Sequence, residues 1–249
     1  MVTLYRSSKQ GLLKGISIQQ LVSFFISKMN YLTQQLLNSE ELKILKKNLD
    51  KEELFWEDGK QTAGKYAAKV KNNLQLKRDS DVSIKFSSLI TKKILSNELI
   101  KSFALPKKIH GTIFTKTTIG MKYGSHVDNP YMSTGRADLS FTIFLNSKKN
   151  YEGGALSIED FNSEEKFKLD AGEIKIYPST YLHSVQEVID GERLVFIGWI
   201  ESYVKSIEER EYLFDLDAGA RSLLAKYGRS DELDLIFKSY SNLLRVMGN

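Results

Sequence analysis

The chain has 249 residues, 41% of them apolar, and 36 Lys and Arg against 31 Asp and Glu give it a formal charge of +5. That is enough apolar content for a sizeable core in one domain, or in one domain with helical additions. There is no cysteine, which excludes disulfides, thiolate metal sites and a cysteine nucleophile, and is consistent with a reducing, cytoplasmic setting.

Residues 1–28 carry basic residues and serines but no acid, and the first acidic side chain is Glu40. A targeting peptide has such a composition, yet Gln19 and Gln20 interrupt its apolar stretch and no small-residue cleavage site follows. The segment is expected to be an extension ahead of the folded region, or the product of a start codon assigned too early. From Ser39, the pattern Glu40, Glu41, Leu42, Ile44, Leu45, Leu49 predicts a helix with one apolar stripe. Asp58-Gly59 is a turn signal, and helices are predicted over Ala63–Leu74 and Ser87–Phe103, the second on the spacing of Ile90, Ile94, Leu95, Leu99 and Ile100. Pro106 punctuates a change to strands. The segments IFTKTTI, LSFTIFLN, ALSIED, KFKL, EIKIYP, SVQEVI and RLVFIGWI are short, rich in β-branched and aromatic residues, and separated by Gly or Asx turns, with one turn expected at Asp190-Gly191. So many strands in about 90 residues imply a jelly-roll, the double-stranded β-helix. Helices return over Val204–Asp217, Gly219–Tyr227 and Asp231–Met247, where Leu213, Phe214, Leu233 and Leu244 predict a cluster packing on itself, on the barrel or on a second subunit. The expected fold is α+β, with an extension (1–28), supporting helices (29–105), a jelly-roll core (106–204) and a C-terminal helical region (205–249). No segment approaches a transmembrane span.

The most informative motif is His126-Val-Asp128 within YGSHVDNP, with His183 further on. Two ligands at i and i+2 of an extended strand point to one side, so a short segment can deliver both to one metal. Two imidazoles and a carboxylate occupy one face of an octahedral iron and leave positions for a bidentate co-substrate and O2. Arg193 begins the apolar run LVFIGWI, and a buried guanidinium there needs an anion. The distal carboxylate of 2-oxoglutarate satisfies it as a bidentate partner; Glu173, Glu187 or Glu201 on a strand edge would do so without any ligand. Across a plain Asp190-Gly191 hairpin, His183 and Arg193 fall on opposite faces, so a shared cavity requires an odd loop or a bulge, with the two residues roughly 13 Å apart along the barrel. Thr142 and Trp199 have the parity to line that cavity, although strand propensity and core packing also explain them. Asn73 and Gln75 alternate toward a possible mouth, His110 reads as a surface or strand residue, and Gly153-Gly154 reads as a hairpin turn. The lysine pairs 46/47, 92/93, 107/108 and 148/149 are scattered, which argues against a dedicated nucleic-acid groove.

These motifs sit among others that resemble the PKHD-type hydroxylases, iron- and 2-oxoglutarate-dependent oxygenases related to prolyl 4-hydroxylases. Trp56 to Gly64, Lys71 to Leu76, Tyr123-Gly124, Asp138-Leu139-Ser140, Tyr151 to Gly154, Ala171-Gly172, Tyr177-Pro178-Ser179, LFDLD and SNLLRVM carry the likeness from about Met29 to the end. The resemblance implies that His126, Asp128 and His183 are iron ligands, that Arg193 binds 2-oxoglutarate, and that Tyr123 hydrogen-bonds a carboxylate of the same molecule. It further implies O2 as co-substrate and ascorbate as the reductant that restores oxidised iron. The chain departs from the family pattern upstream of the first ligand, at His110-Gly111 and Phe114 to Thr117, where the pocket wall is expected to differ. The expected activity is hydroxylation of a peptidyl proline, an amino acid or a small iron-chelating molecule, with decarboxylation of 2-oxoglutarate to succinate. A non-catalytic metal-binding jelly-roll and a nucleic-acid demethylase of the same superfamily are the alternatives.

Overall fold

The computed structural model describes residues 31–62, 67–160 and 163–249. The expected extension over residues 1–28 lies outside them, as does the start of the helix predicted from Ala63. Strand β1 (Leu32–Gln35) is followed by helix α1 (Ser39–Leu49). A reciprocal capping box starts α1: Asn38 accepts from the Glu41 N–H and Glu41 accepts from the Asn38 N–H, while Leu42, Leu45 and Leu49 are buried.

The predicted helix over Ala63–Leu74 is not what forms. Ala67–Lys69 is a single 3-10 turn, and strands β3 (Lys71–Asn72) and β4 (Leu74–Leu76) follow, with β2 (Trp56–Asp58) before them. Pairing partners decide this, because β3 hydrogen-bonds beside β6 (Lys122–His126) and β4 bonds between β2 and β5 (Pro106–Thr118). The helix predicted over Ser87–Phe103 starts earlier and is two helices, α2 (Asp81–Ser96) and α3 (Glu98–Ala104). Ser80 caps the first through the Ser83 N–H; Asn97, with ψ at 118°, leaves helical geometry and caps the second through the Ile100 N–H.

The remaining strands are β7 (Tyr131–Met132), β8 (Gly135–Arg136), β9 (Leu139–Phe144), β10 (Tyr151–Gly153), β11 (Leu156–Asp160), β12 (Ser163–Phe167), β13 (Glu173–Pro178), β14 (Leu182–Val185) and β15 (Val188–Ser202). Among the described residues the strands form an eight-stranded sheet, β1-β13-β9-β15-β5-β4-β2 with β10 added to β15, a five-stranded sheet, β12-β11-β14-β6-β3, and the two-stranded β7-β8. Phe144, Tyr177 and Val195 of the larger sheet pack with Leu156 and Ile158 of the smaller one, so the two sheets enclose a shared interior. The larger core joins the outer face of the large sheet to α1, α2 and α3 through residues such as Leu45, Ile90, Ile94, Phe114 and Phe196.

The expected turn at Asp190-Gly191 is also corrected. Both residues lie inside β15, paired with Glu152 and Tyr151, and between Val185 and Val188 the chain crosses from the smaller sheet to the larger one without reversing. Gly191 serves another purpose: at φ +75° its missing side chain lets the Asn150–Tyr151 backbone approach, where a Cβ would sit 2.2 Å from the Asn150 carbonyl oxygen. Consequently β14 and β15 are not a hairpin, and His183 and Arg193 come from different sheets.

At the C-terminus the predicted break near Gly219 is absent. Helix α4 (Ile207–Tyr227) runs through it, and α5 (Asp231–Met247) has the predicted bounds. Burial of Ala218 and Ala220 on either side outweighs the cost of a helical glycine, about 1 kcal/mol. The apolar cluster forms in part: Leu213 packs with Leu105, Val204, Tyr240 and Leu244, and Phe214 meets Phe103 edge-on in the main core, whereas Leu223 and Leu243 are exposed. The architecture is α+β, a jelly-roll core with helices before and after it. No helix among the described residues is long and apolar enough to cross a membrane.

Candidate active site

His126 ends β6 and His183 lies on β14, and the pairing of these strands sets the two residues directly opposite each other. Asp128 lies just past the end of β6, so the pair at 126 and 128 converges across a strand end and not along a continuous strand. The ligand-type atoms of His126, Asp128 and His183 all lie within 4.8 Å of one another. His183 Nε2 is 3.7 Å from Asp128 Oδ2.

Backbone carbonyls orient both imidazoles. His126 Nδ1 bonds to the Gly124 oxygen at 2.8 Å and His183 Nδ1 to the Tyr181 oxygen at 3.0 Å. A carbonyl only accepts, so each Nδ1 carries a proton, and in the neutral ring this leaves the Nε2 lone pair for a cation. Burial, with His183 beside it, pushes the His126 imidazole down to about 4, which keeps it neutral and available as a ligand. Tyr123 stacks on His126, the ring centroids 3.7 Å apart, and Tyr177 meets His183 edge-on. Ser140 on β9 donates to Asp128 Oδ2 at 2.6 Å and lies 2.7 Å from Ser179 Oγ. With the Ser140 proton committed to the carboxylate, Ser179 must be the donor between the two hydroxyls. The donor set suits a divalent ion such as Fe(II), with one carboxylate oxygen already steered by a hydrogen bond.

A cavity of about 440 Å³ joins this trio to Arg193 on β15. Arg193 is 2% exposed, its Nε has no hydrogen-bond partner, and Phe144 lies under the guanidinium at 5.4 Å. Burial lowers its pKa, and the nearest electrostatic partners are the phenols of Tyr151 and Tyr177. The three glutamates that might have neutralised it are engaged elsewhere. Glu173 accepts from the Asp170 N–H, Glu187 pairs with Lys122 at 3.0 Å, and Glu201 faces Arg136 and Lys107. A buried cation without a carboxylate is costly unless a ligand supplies the anion.

Several other expectations can be placed. Thr142, Trp199, Asn73 and Gln75 all line the cavity. A bulge between Ile197 and Trp199 interrupts the pairing of β15 with β5, and Trp199 still turns inward. His110 is on a strand but not at the surface: it is 6% exposed, its ring nitrogens bonded to Thr134 Oγ1 and the Arg136 carbonyl oxygen, and it ties down the β7–β8 hairpin. Gly153 and Gly154 are a positive-φ turn leading from the large sheet to the small one. Sequence reasoning overlooked Lys71 and Arg78, which also line the cavity, and assigned no role to Ser140 or Ser179. The alternation Lys71, Asn73, Gln75 was a signal for the first.

Comparison with known proteins agrees with this geometry. Residues 112–201 match the family profile of the 2OG-Fe(II) oxygenase superfamily. In fold, the chain is similar to a prolyl-4-hydroxylase from Pseudomonas putida, with a TM-score of 0.53 at 16% identity over 70% of this chain and 94% of that one. It is also similar to the non-heme alpha ketoglutarate dependent carbocyclase SnoK from nogalamycin biosynthesis, with a TM-score of 0.55 at 10% identity over 76% and 85% of the two chains. The class so defined is a 2-oxoglutarate-dependent dioxygenase. Two PKHD-type hydroxylases of Prochlorococcus marinus are similar to the chain along their whole length: that of strain MIT 9215 is 74% identical over 88% of this chain, and that of strain MIT 9515 is 71% identical over 89%. The chain belongs to the PKHD-type hydroxylase family.

Proposed function

We propose that His126, Asp128 and His183 hold Fe(II), and that Arg193 grips the distal carboxylate of 2-oxoglutarate in the same cavity. The observation that carries this reading is the buried, carboxylate-free guanidinium of Arg193 facing the cavity that the trio lines. When bound, Fe(II) with 2-oxoglutarate and O2 supplies the chemistry that inserts one oxygen atom into a substrate C–H bond and leaves the second oxygen in succinate, with CO2 released.

This chain's residues do the positioning. The Gly124 and Tyr181 carbonyls hold the imidazoles by their Nδ1 protons, and Ser140 with Ser179 fixes the Asp128 carboxylate. Arg193 offers a planar fork, which orients a diacid more firmly than a point charge does. Tyr123 packs along His126 and supports the co-substrate's other carboxylate. Thr142 and Tyr177 line the interior between the sheets and keep bulk water from the reacting atoms. Ascorbate serves as the reductant after uncoupled turnover.

The absence of cysteine supports a cytoplasmic setting, and exposed Leu223, Leu243 and Val246 support contacts between subunits through the C-terminal helices. The division into a helical region (29–105), an oxygenase core (106–204) and a C-terminal helical region (205–249) is likewise proposed. The test is to load the protein anaerobically with Fe(II), 2-oxoglutarate and a pool of small acids, amino acids and proline peptides, then admit O2. One member of the pool should gain one oxygen atom with matched succinate; succinate formed equally without added metal would overturn the assignment.

A further inference from the structure

Strand β9 carries Ser140 and Thr142 two positions apart, so both point to the interior face of the large sheet, and both line the cavity. The neighbouring β13 and the residue just after it supply each with a partner hydroxyl. Ser179 lies 2.7 Å from Ser140, and Tyr177, paired opposite Ser140, brings its phenol within hydrogen-bond reach of the Thr142 side chain. The first pair ends on a carboxylate, because Ser140 donates to Asp128 Oδ2. Among the described residues no carboxylate accepts a hydrogen bond from the second pair.

Tyr177 stands between the two charged ends of the cavity. Its ring meets His183 edge-on with centroids 5.3 Å apart, and its phenol feels the charges of both Asp128 and Arg193. Arg193 comes to the same place from β15. Its side chain crosses to the β10–β11 turn, where a Cβ on Gly154 would stand 3.2 Å from Arg193 Cδ, and its guanidinium lies 5.4 Å from the Phe144 ring centroid with Tyr151 and Tyr177 as its electrostatic partners. Of these two phenols it is Tyr177 that lines the cavity.

A carboxylate offers about four lone-pair positions, and a bidentate guanidinium fills two of them. When the anion is buried the others need donors as well, because an acceptor taken out of water and left unpaired is destabilising. Phe144, Leu156 and Val195, which pack in one cluster with Tyr177, have no donor to offer. Tyr177, 3% exposed, has one. If the Thr142 hydroxyl donates to the phenol oxygen, the phenol proton is left free for a ligand.

We propose that Tyr177 binds the co-substrate, its hydroxyl donating to the distal carboxylate of 2-oxoglutarate beside Arg193, and that Thr142 is the positioning residue that donates to Tyr177 in turn. This rests on the assignment of Arg193 to that carboxylate. Two hydroxyl pairs from the same stretch of β9 and β13 then serve two carboxylates: Ser140 with Ser179 orients Asp128, and Thr142 with Tyr177 orients the co-substrate.

The test measures binding, not turnover. Calorimetry on the Fe(II)-loaded protein, kept anaerobic, compares 2-oxoglutarate with 2-oxovalerate, which has the same five-carbon chain and chelating end but no distal carboxylate. The wild type should prefer 2-oxoglutarate, and Arg193→Leu should lose that preference. Tyr177→Phe should bind 2-oxoglutarate about 10–100-fold more weakly, the usual effect of removing a hydrogen bond to a charged group, and should bind Fe(II) and 2-oxovalerate as the wild type does. Thr142→Val should show a smaller loss that Thr142→Ser restores. Combined with Tyr177→Phe it should weaken binding no further, since Thr142 acts through the phenol. If Tyr177→Phe weakens both acids alike, the ring only packs; if it weakens neither, the hydroxyl makes no contact with the co-substrate. Either result overturns the proposal, while a preference lost in Arg193→Leu keeps the assignment beneath it standing. A wild type that binds the two acids equally would overturn that assignment and the proposal with it.

Discussion

His183 faces His126 directly across the β14–β6 pairing, with the two imidazole centroids 4.3 Å apart. A register shift follows at once, between His183 and Val185, so the pairing is regular where the rings meet and distorted immediately after. The two imidazoles held this close, with a carboxylate beside them, are the basis of the proposed cation seat. A divalent cation at 100 times its dissociation constant should then stabilise the protein by about 2.7 kcal/mol, or on the order of 5–10 °C in melting temperature for a chain of this size. His183→Ala should remove the shift. Ser140→Ala should keep the fold and weaken the cation by about 10–100-fold, since Asp128 loses its donor. An equal thermal shift in wild type and His183→Ala would rule out this seat.

Substitution of Arg193 should separate co-substrate binding from metal binding. Replacing it with Leu should leave cation affinity nearly unchanged and weaken 2-oxoglutarate by on the order of 2–5 kcal/mol, the effect of removing one partner of a desolvated charge pair. Arg193→Lys should recover only part of this, because the fork geometry is lost. Anaerobic calorimetry with metal first and 2-oxoglutarate second reads the two affinities apart. Undiminished diacid binding by Arg193→Leu would return the guanidinium to a structural role.

The metal-free protein should be acid-sensitive in a defined window. His126 is held at about 4, below its ordinary 6.5, so between these values the unfolded chain takes up a proton that the folded one refuses. The associated stability is complete above about pH 6.5 and declines as the pH falls toward 4, by on the order of 1–3 kcal/mol. Urea midpoints at pH 7 and pH 5 measure it, and His126→Gln should flatten that part of the slope. An identical slope in the variant would place the pH dependence elsewhere.

Removal of residues 205–249 should impair folding. Phe214 leaves the main core, Leu105 and Val204 lose Leu213, and the Val204 carbonyl loses the buried Arg210 that donates to it. Loss of one buried aromatic alone costs about 3–5 kcal/mol, a large part of the stability of a typical domain. A truncated protein with the melting temperature of the full chain would show that these helices are ornamental.

The elements that were legible in the sequence are those whose signals are local. The apolar periods of α1 and α5, the strand segments after Pro106, and the residue types at 126, 128, 183 and 193 all lie within a few positions of what makes them recognisable. The strand residues from Lys71 to Leu74 were misread as the end of a helix because their stabilising partners, Tyr123 opposite Lys71 and Lys116 opposite Leu74, lie far along the chain. The same holds for Asp190-Gly191: a turn by composition, it stays within the strand because β10 pairs with it and the glycine admits the neighbouring backbone.

The sequence by itself therefore determined the jelly-roll class and supplied the residue types at 126, 128, 183 and 193 from which the site is proposed, since each follows from residue chemistry and short-range pattern. Only the tertiary structure decided that His183 and Arg193 reach one cavity from different sheets, that among the described residues Glu187 and Glu201 pair elsewhere and not with Arg193, and that Lys71 and Arg78 join the cavity lining. Those are properties of strand pairing between distant segments, and a residue's distance along the chain carries no information about which strand will lie beside it.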